Sequence, residues 1–219
     1  MVRRILGISV MTVALVGVLA TAAQASNFSF TGNFTQDDNV QLFNFSVGAS
    51  STVTLRAYSY AGGTNAAGQV IARGGFDTIL ALFDSTGLLV GQNDDGGSNV
   101  PADPVTGAHY DTYLQLVLGT GNYTVAIMEY NNFANGPNLA NGFVQQGNGN
   151  FTASFGCPGA TSFADVTGSA PGCQRDSHWA FDILNVGDAT EVPSVPEPTS
   201  LVLLGTGLFA IARARRFLR

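Results

Sequence analysis

Residues 114–128 read LQLVLGTGNYTVAIM, a stretch in which two alternating runs flank a short turn. Its apolar side chains recur at every second position on both sides of the turn: Leu114, Leu116 and Leu118, then Tyr123, Val125 and Ile127. This spacing is typical of β-strands with one buried face, because successive side chains of a strand point to opposite sides. The glycine-rich residues 119–122 supply the turn. The stretch therefore predicts two consecutive strands joined by a tight turn.

The same alternation recurs elsewhere in the chain. It involves Phe43, Phe45 and Val47, then Val53, Leu55 and Ala57, and near the end Trp179, Phe181 and Ile183. A DSTG turn at residues 84–87 joins two further runs as a hairpin. Loops rich in glycine, asparagine and proline separate the runs at residues 61–75, 92–109 and 131–150. We predict an all-β fold, an antiparallel β-sandwich of about eight or nine strands, with Trp179 in its core.

The N-terminus has the three parts of a secretion signal. Arg3 and Arg4 form a positive start, an apolar run covers residues 5–20, and Ala23-Gln24-Ala25 offers a cleavage site. The arginine pair also allows twin-arginine export, although an ordinary basic start is the commoner explanation. We predict a signal peptide over residues 1–25 and a β-sandwich domain over residues 26–192.

The C-terminus combines a polar hinge, an apolar run and an arginine cluster. A linker over residues 193–200 contains Pro196-Glu197-Pro198, and residues 201–212 are an uncharged apolar run. Four arginines follow: Arg213, Arg215, Arg216 and Arg219. The run is shorter than the ~20 residues that span a bilayer directly, but arginine stems extend its reach. We predict a transmembrane helix and arginine-rich tail over residues 201–219, with the arginines held in the cytoplasm.

The order of Pro196-Glu197-Pro198, apolar segment and arginine cluster resembles the PEP-CTERM sorting signal of exported bacterial proteins. The resemblance covers the last 24 residues, and the signal peptide at the other end strengthens it. It implies a Gram-negative bacterium, a precursor anchored in the inner membrane, and processing by an exosortase-type enzyme. It further implies display at the cell surface or in the extracellular matrix, in association with exopolysaccharide or biofilm.

A second resemblance begins at residues 75–84, which read GFDTILALFD, and continues through NDDGG at 93–97 and DTYL at 111–114. The segment resembles a group of exported PEP-CTERM proteins that share an F-D-x-x-L-x-L-F-D core. More distantly, it is similar to the bacterial pre-peptidase C-terminal domain, which is appended to secreted proteases. The resemblance covers roughly residues 28–130, with residues 178–186 as a closing strand. It implies a jelly-roll-like sandwich, and the exported group has no agreed activity to carry over.

The charge of the chain is uneven. Residues 26–195 contain fourteen acidic residues and three arginines, a formal charge of −11, and the chain has no lysine. Such a domain would repel phosphates, so the composition excludes nucleic acid as a partner. It would attract cations, although simple solvation of a secreted protein accounts for the charge equally well.

Cys157 and Cys173 are the only cysteines. An even count in an exported chain predicts one disulfide between them, worth roughly 3 kcal/mol in the chain-entropy description. The C-x-x-C spacing of a redox site is absent.

Acidic and amide side chains gather around two predicted turns: Asp77, Asn93, Asp94, Asp95 and Asp111. Calcium takes about six to eight oxygen ligands of these kinds, so the five residues are a candidate calcium site. The spacing of an EF-hand is absent. Aspartate and asparagine also cap turns through their own backbone, and the sequence is compatible with both interpretations.

Catalytic signals are weak. His109 and His178 are the only histidines, and the chain contains neither G-x-S-x-G nor H-E-x-x-H. His109 near Asp111 and several serines is a combination that arises easily by chance. We predict a non-enzymatic exported surface or matrix protein with no certain cofactor. A polysaccharide- or calcium-binding module and an appended hydrolase domain are the alternatives.

Overall fold

The computed structural model describes residues 25–193, in which two antiparallel sheets enclose a common core. The four-stranded sheet contains, in spatial order, β1 (Ser26–Asn33), β10 (His178–Val186), β3 (Ser51–Ala57) and β8 (Tyr113–Leu118). The five-stranded sheet contains β11 (Asp188–Glu191), β2 (Val40–Val47), β9 (Gly121–Glu129), β6 (Thr78–Asp84) and β7 (Leu89–Asn93). A small ribbon pairs β4 (Gly63–Thr64) with β5 (Val70–Ile71). The predicted all-β antiparallel sandwich is confirmed.

Successive strands of the two main sheets alternate between the sheets, with one exception. The exception is the hairpin of β6 and β7, whose predicted turn closes through bonds from Gly87 N to Asp84 O and from Asp84 N to Leu88 O, both 2.9 Å. The predicted turn after Leu118 instead carries the chain from β8 in one sheet to β9 in the other. The turn chemistry was thus correctly located, while the partner of each strand is set by tertiary packing.

The core between the sheets is built from the predicted alternating positions and is rich in aromatic rings. The ring of Phe43 lies edge-on to that of Phe181 at 4.8 Å and to that of Trp179 at 5.7 Å. Trp179 is buried, as predicted. The indole ring of Trp179 also explains why residue 32 on the neighbouring strand is a glycine, because a Cβ at Gly32 would lie 2.3 Å from that ring.

Strand β6 is buried on both faces. Leu80 and Leu82 point into the core between the sheets. Ile79, Ala81 and Phe83 point to the outer face of the five-stranded sheet, where the segment after β9 covers them. This double burial explains why the sequence of β6 is a continuous apolar run, which is the pattern of a strand without a solvent face.

The two ends of the sandwich differ in their connections. We call one the turn end, because it carries only short connections: residues 48–50, 85–88, 119–120 and 187. We call the other the loop end, because it carries the long connections: residues 34–39, 58–77, 94–112 and 130–177. These long connections contain 3₁₀ turns at Gly97–Asn99, Leu139–Asn141 and Phe151–Phe155. The second of them reaches back along the outer face to the turn end, where Leu139 N donates to Gly87 O. The described chain also leaves the sandwich here, since Val192 N donates to Leu42 O at 2.9 Å.

Three predicted segments lie outside the described residues: the signal peptide over residues 1–25, apart from Ala25, the linker over residues 193–200, apart from Pro193, and the helix and tail over residues 201–219. Within the described part of the chain, no helix combines the length and apolar character that crossing a membrane requires.

Candidate functional site

Three acidic residues converge at the loop end because of the β6–β7 pairing. Asp77 immediately precedes β6, while Asp94 and Asp95 immediately follow β7. The two strands are antiparallel, with Leu80 opposite Asn93, so the start of one lies beside the end of the other. One carboxylate oxygen from each aspartate lies within 4.8 Å of the other two.

The three carboxyl groups differ in burial. Asp77 is only 5% exposed, Asp94 is half-buried, and Asp95 is exposed. Among residues 25–193, the buried Oδ1 atoms of Asp77 and Asp94 have no hydrogen-bond partner. The cluster therefore runs from a buried, unpaired carboxylate to one that faces water.

Burial and mutual repulsion raise the pKa values of the cluster. The pKa of Asp77 lies well above its ordinary value, first because of burial and then because of the carboxylates of Asp94 and Asp95. Burial and then Asp95 raise the pKa of Asp94 to about 6, and burial raises the pKa of Asp95. Each shift means that the ionised carboxylates lack compensating positive charge.

The side chains of the other two predicted ligands, Asn93 and Asp111, form hydrogen bonds with backbone groups of the loops. Asn93 accepts a bond from Asp94 N at 2.7 Å through Oδ1 and donates to Tyr113 O at 2.8 Å through Nδ2. Asp111 is fully buried and accepts bonds from Tyr60 N at 2.9 Å and Ala61 N at 2.8 Å. The structure thus brings together three of the five residues in the predicted calcium site.

Glu129 and Asp37 form a second group of buried acids that the sequence reasoning missed. Asp37 accepts bonds from Thr152 N at 2.9 Å, Thr152 Oγ1 at 2.6 Å and Phe163 N at 2.9 Å. Glu129 is 1% exposed, and its Oε2 has no hydrogen-bond partner in the described part of the chain. Burial and then Asp37 raise the pKa of Glu129 well above its ordinary value.

A third buried polar cluster, also unpredicted, surrounds Arg175. Its guanidinium lies 3.4 Å from the centre of the Tyr60 ring and 3.5 Å from Asp103 Oδ2. Tyr60 donates its hydroxyl hydrogen to Asp165, and Arg73 Nε lies 2.8 Å from Asp103. Arg175 and Tyr60 are 115 positions apart, so no local pattern could have revealed the contact.

The predicted disulfide is present. Cys157 and Cys173 are bonded, with their Cα atoms 5.7 Å apart. The bridge packs against Ala160 and Ala164 of the loop that it closes, and against Phe155 before it.

The two histidines make structural contacts. His109 Nδ1 lies 2.8 Å from Val100 O, while Asp111 binds the backbone at Tyr60. His178 bonds to Asp176 through Nδ1, and its Nε2 lies 3.1 Å from Ala72 O. Both nitrogens of His178 and one of His109 are therefore engaged with acceptors within the domain.

A polar groove lies on the outer face of the five-stranded sheet, at the turn end. Its floor consists of residues that point away from the core: Asn44, Ser46, Asn122, Thr124, Asp188 and Thr190. Residues 84–87 and 138–140 form its wall, and the groove measures about 750 Å³. Two bonds hold the wall in place, from Leu139 N to Gly87 O at 2.8 Å and from Leu89 N to Pro137 O at 2.7 Å.

Comparison with known protein families finds a sorting motif at the C-terminus. Residues 194–216 match the PEP-CTERM protein-sorting motif, and they include Pro196-Glu197-Pro198. The match supports an exported protein that an exosortase-type enzyme sorts, made as a membrane-anchored precursor before display at the cell surface. No curated protein matches the chain. The F-D-x-x-L-x-L-F-D core and the pre-peptidase C-terminal similarity are not confirmed by these comparisons.

Proposed function

We propose that the protein is a non-enzymatic component of the cell surface or extracellular matrix, displayed there after its tail is processed. The observation that carries this proposal is the sorting motif at residues 194–216, directly after the sandwich. The contacts of His109 and His178 favour a structural role for both residues.

The position of the tail gives the precursor an orientation. The motif begins one residue after Pro193, the last described residue, and the chain reaches this point at the loop end. In the anchored precursor, the loop end is thus the end from which the chain runs to the membrane. The turn end, with the polar groove, lies at the opposite end of the domain and is the surface that we infer meets the surroundings.

Deletion of the gene tests the matrix role. We expect the deletion strain to form less matrix and to aggregate differently, and the wild-type gene to restore both properties. A second strain that carries Glu197→Ala together with alanine at both flanking prolines should resemble the deletion. A deletion strain with normal matrix would count against the role.

Tags at both mature ends test the sorting step separately. The N-terminal tag should reach the cell surface or medium, and the C-terminal tag should be lost from that fraction. A single secreted product that keeps both tags would contradict processing of the tail.

Polysaccharide binding is the second candidate function, and the polar groove favours it. Its floor offers amide and hydroxyl groups, with Thr124 Oγ1 donating to Asn44 Oδ1 at 2.9 Å. Asp84 and Asp188 are its only charged residues within the described chain, and both would repel an anionic polymer. The ligand that suits the groove is thus an uncharged polymer rich in hydroxyl groups.

Affinity electrophoresis of the exported protein tests this candidate. Gels that contain a neutral galactomannan or β-glucan should retard the protein, and gels with polygalacturonate should not. Asn122→Ala and Thr190→Ala should weaken the retardation, while Thr52→Ala, an exposed threonine on the other sheet, should not. If the three variants are retarded equally, or if the wild-type protein is not retarded in any neutral gel, the groove is excluded as a polysaccharide-binding site.

A further inference from the structure

Of the three clustered aspartates at the loop end, Asp77 is the most buried, and its carboxylate therefore loses the most favourable interaction with water. A buried carboxylate without a hydrogen-bond partner pays desolvation without compensation, so it must be neutralised by a proton or a cation. Asp77 Oδ1 and Asp94 Oδ1 are both buried and without a partner among residues 25–193. In the same described residues, no arginine or histidine forms a salt bridge with either one.

The donor set selects the kind of cation. All three groups are carboxylates, which are the hard oxygen ligands that calcium and magnesium take, whereas zinc prefers histidine and cysteine. Ligands on opposite sides of a calcium ion are about 4.6–5.2 Å apart, from its metal–oxygen distance, and about 4.0–4.2 Å apart around magnesium. The three ligand atoms lie within 4.8 Å of one another, so one ion can contact all three. Calcium accepts several carboxylates at once, whereas magnesium is usually held by one or two and keeps several of its waters, and this favours calcium.

The backbone around the three carboxylates is fixed in advance. Thr112 Oγ1 donates to Asp94 O at 2.9 Å, and Tyr130 N donates to Asp77 O at 2.8 Å. Asn93 holds the Asp94 amide, and Asp111 O accepts from Gly96 N at 2.8 Å. Asn93 and Asp111, which the sequence suggested as ligands, thus position the loop that carries the ligands.

We propose that Asp77, Asp94 and Asp95 bind one calcium ion, which clamps the start of β6 to the loop after β7. Asp77 supplies the buried side of the shell and Asp95 the side that faces solvent. Water completes the coordination on the exposed side, since three carboxylates supply fewer than the full set of ligands. This clamp goes beyond the matrix role and does not depend on it.

Thermal unfolding of the exported protein, freed of metal with a chelator, tests the clamp. Calcium is added up to about 5 mM, beyond the ~10⁻⁴–10⁻³ M dissociation constants of extracellular calcium modules. A ligand that binds only the native state raises the melting temperature, here by about 4 °C at ten times the dissociation constant. Sodium chloride of equal ionic strength should not reproduce the rise, and magnesium should produce a smaller one.

Three variants make the test specific. Asp77→Asn and Asp95→Asn should abolish the calcium response. Asp77→Asn should also raise the melting temperature without metal, because a neutral amide at this buried position needs neither a proton nor a cation. Asp95 is exposed, so its variant keeps the test decisive if the Asp77 variant does not fold. Glu191→Gln, an exposed acid where the chain leaves the loop end, is the control and should respond like wild type.

Terbium luminescence provides a direct readout. Tyr110 and Tyr130 lie near enough that Asp77 and Asp95 contribute to the rise in their pKa values. Terbium bound at the cluster should therefore emit when tyrosine is excited, and calcium should displace it. A melting temperature that does not change with calcium, a response retained by both asparagine variants, or an equal response to magnesium would overturn the proposal.

Discussion

The turn end and the loop end of the sandwich share the same strands but are held together in different ways. At the turn end, the short connections close mainly through backbone bonds, such as those from Gly87 N to Asp84 O at 2.9 Å and from Gly187 N to Ser46 O at 2.7 Å. The one carboxylate that helps there, that of Asp84, is half-exposed and accepts bonds from Thr86 N at 2.8 Å and Leu88 N at 3.1 Å. At the loop end, long connections leave backbone N–H groups that no strand partner satisfies, and these need other acceptors. Carboxylates inside the protein provide them.

Half of the acidic residues in the described chain are internal. Seven of the fourteen are buried: Asp37, Asp77, Asp103, Asp111, Glu129, Asp165 and Asp182. Asp37, Asp103, Asp111 and Asp182 accept bonds from loop N–H groups. A solvated surface therefore accounts for only part of the formal charge of −11. Another part belongs to internal carboxylates that hold the loops.

Removal of Arg175 should have the largest effect. Arg175→Met would deprive Asp103 of one of its two cations and Gly75 O of the donor that binds it at 3.1 Å. Tyr60 O would lose its donor at 2.8 Å and keep only Gly74 N at 3.2 Å. Breaking a buried ion pair from one side costs about 3–5 kcal/mol in free energy of unfolding, measurable by urea denaturation. Arg56→Met, which removes only a cation–π contact with Tyr58, is the control and should cost below ~1 kcal/mol. Similar costs for the two would contradict the importance of the loop-end cluster.

Loss of the disulfide should come next. Cys157→Ala combined with Cys173→Ala opens a loop with a sequence separation of 16. The chain-entropy description gives a loss of roughly 3 kcal/mol, visible as a lower urea midpoint. Wild-type protein treated with reductant should behave like the variant. If the oxidised wild-type protein and the variant unfold at the same urea concentration, the disulfide does not contribute to the stability of the loop end.

The fold was largely predictable because strand alternation is a local signal. The positions of β2, β3, β8, β9 and β10 follow from apolar residues at every second position, and the hairpin follows from its turn residues. Strand β11 was not predictable in this way, since only Ala189 among its residues is buried. Which strands share a sheet also escaped the sequence, because one tight turn keeps β6 and β7 together and another separates β8 from β9.

The candidate site was predictable only in part. The acidic residues beside β6 and β7 drew attention to the correct turns. Their roles could not be read from residue type, because an aspartate that accepts backbone bonds, such as Asp111, looks the same in sequence as one without a partner, such as Asp77. Buried contacts between distant residues, such as Arg175 with Tyr60, carry no local signal.

Glu129 allows a smaller, pH-dependent test of the loop end. Its pKa in the folded protein lies well above its ordinary value of 4.5, so the folded state holds a proton that the unfolded state releases first. Stability from this group is therefore complete below pH 4.5 and is lost as the pH rises toward the folded-state pKa. Glu129→Gln should match wild type in melting temperature near pH 4 and exceed it at pH 8. A constant difference across this range would mean that Glu129 is not buried as a neutral acid.

The smallest effect is expected at the turn end, from Gly87→Ala. Gly87 has a φ of 82°, a conformation that side chains with a Cβ rarely adopt. The added Cβ would be 3.5 Å from Asn138 Oδ1, an ordinary contact, so backbone strain of about 1 kcal/mol should be the whole cost. Gly119→Ala in the other short turn is the matched control, since its Cβ would meet nothing within 4 Å and its φ is outside the left-handed region. It should change the free energy of unfolding by less than about 0.5 kcal/mol. If Gly87→Ala costs as much as Arg175→Met in the same urea experiment, the turn end is as sensitive as the buried loop-end cluster, and the contrast between the two ends fails.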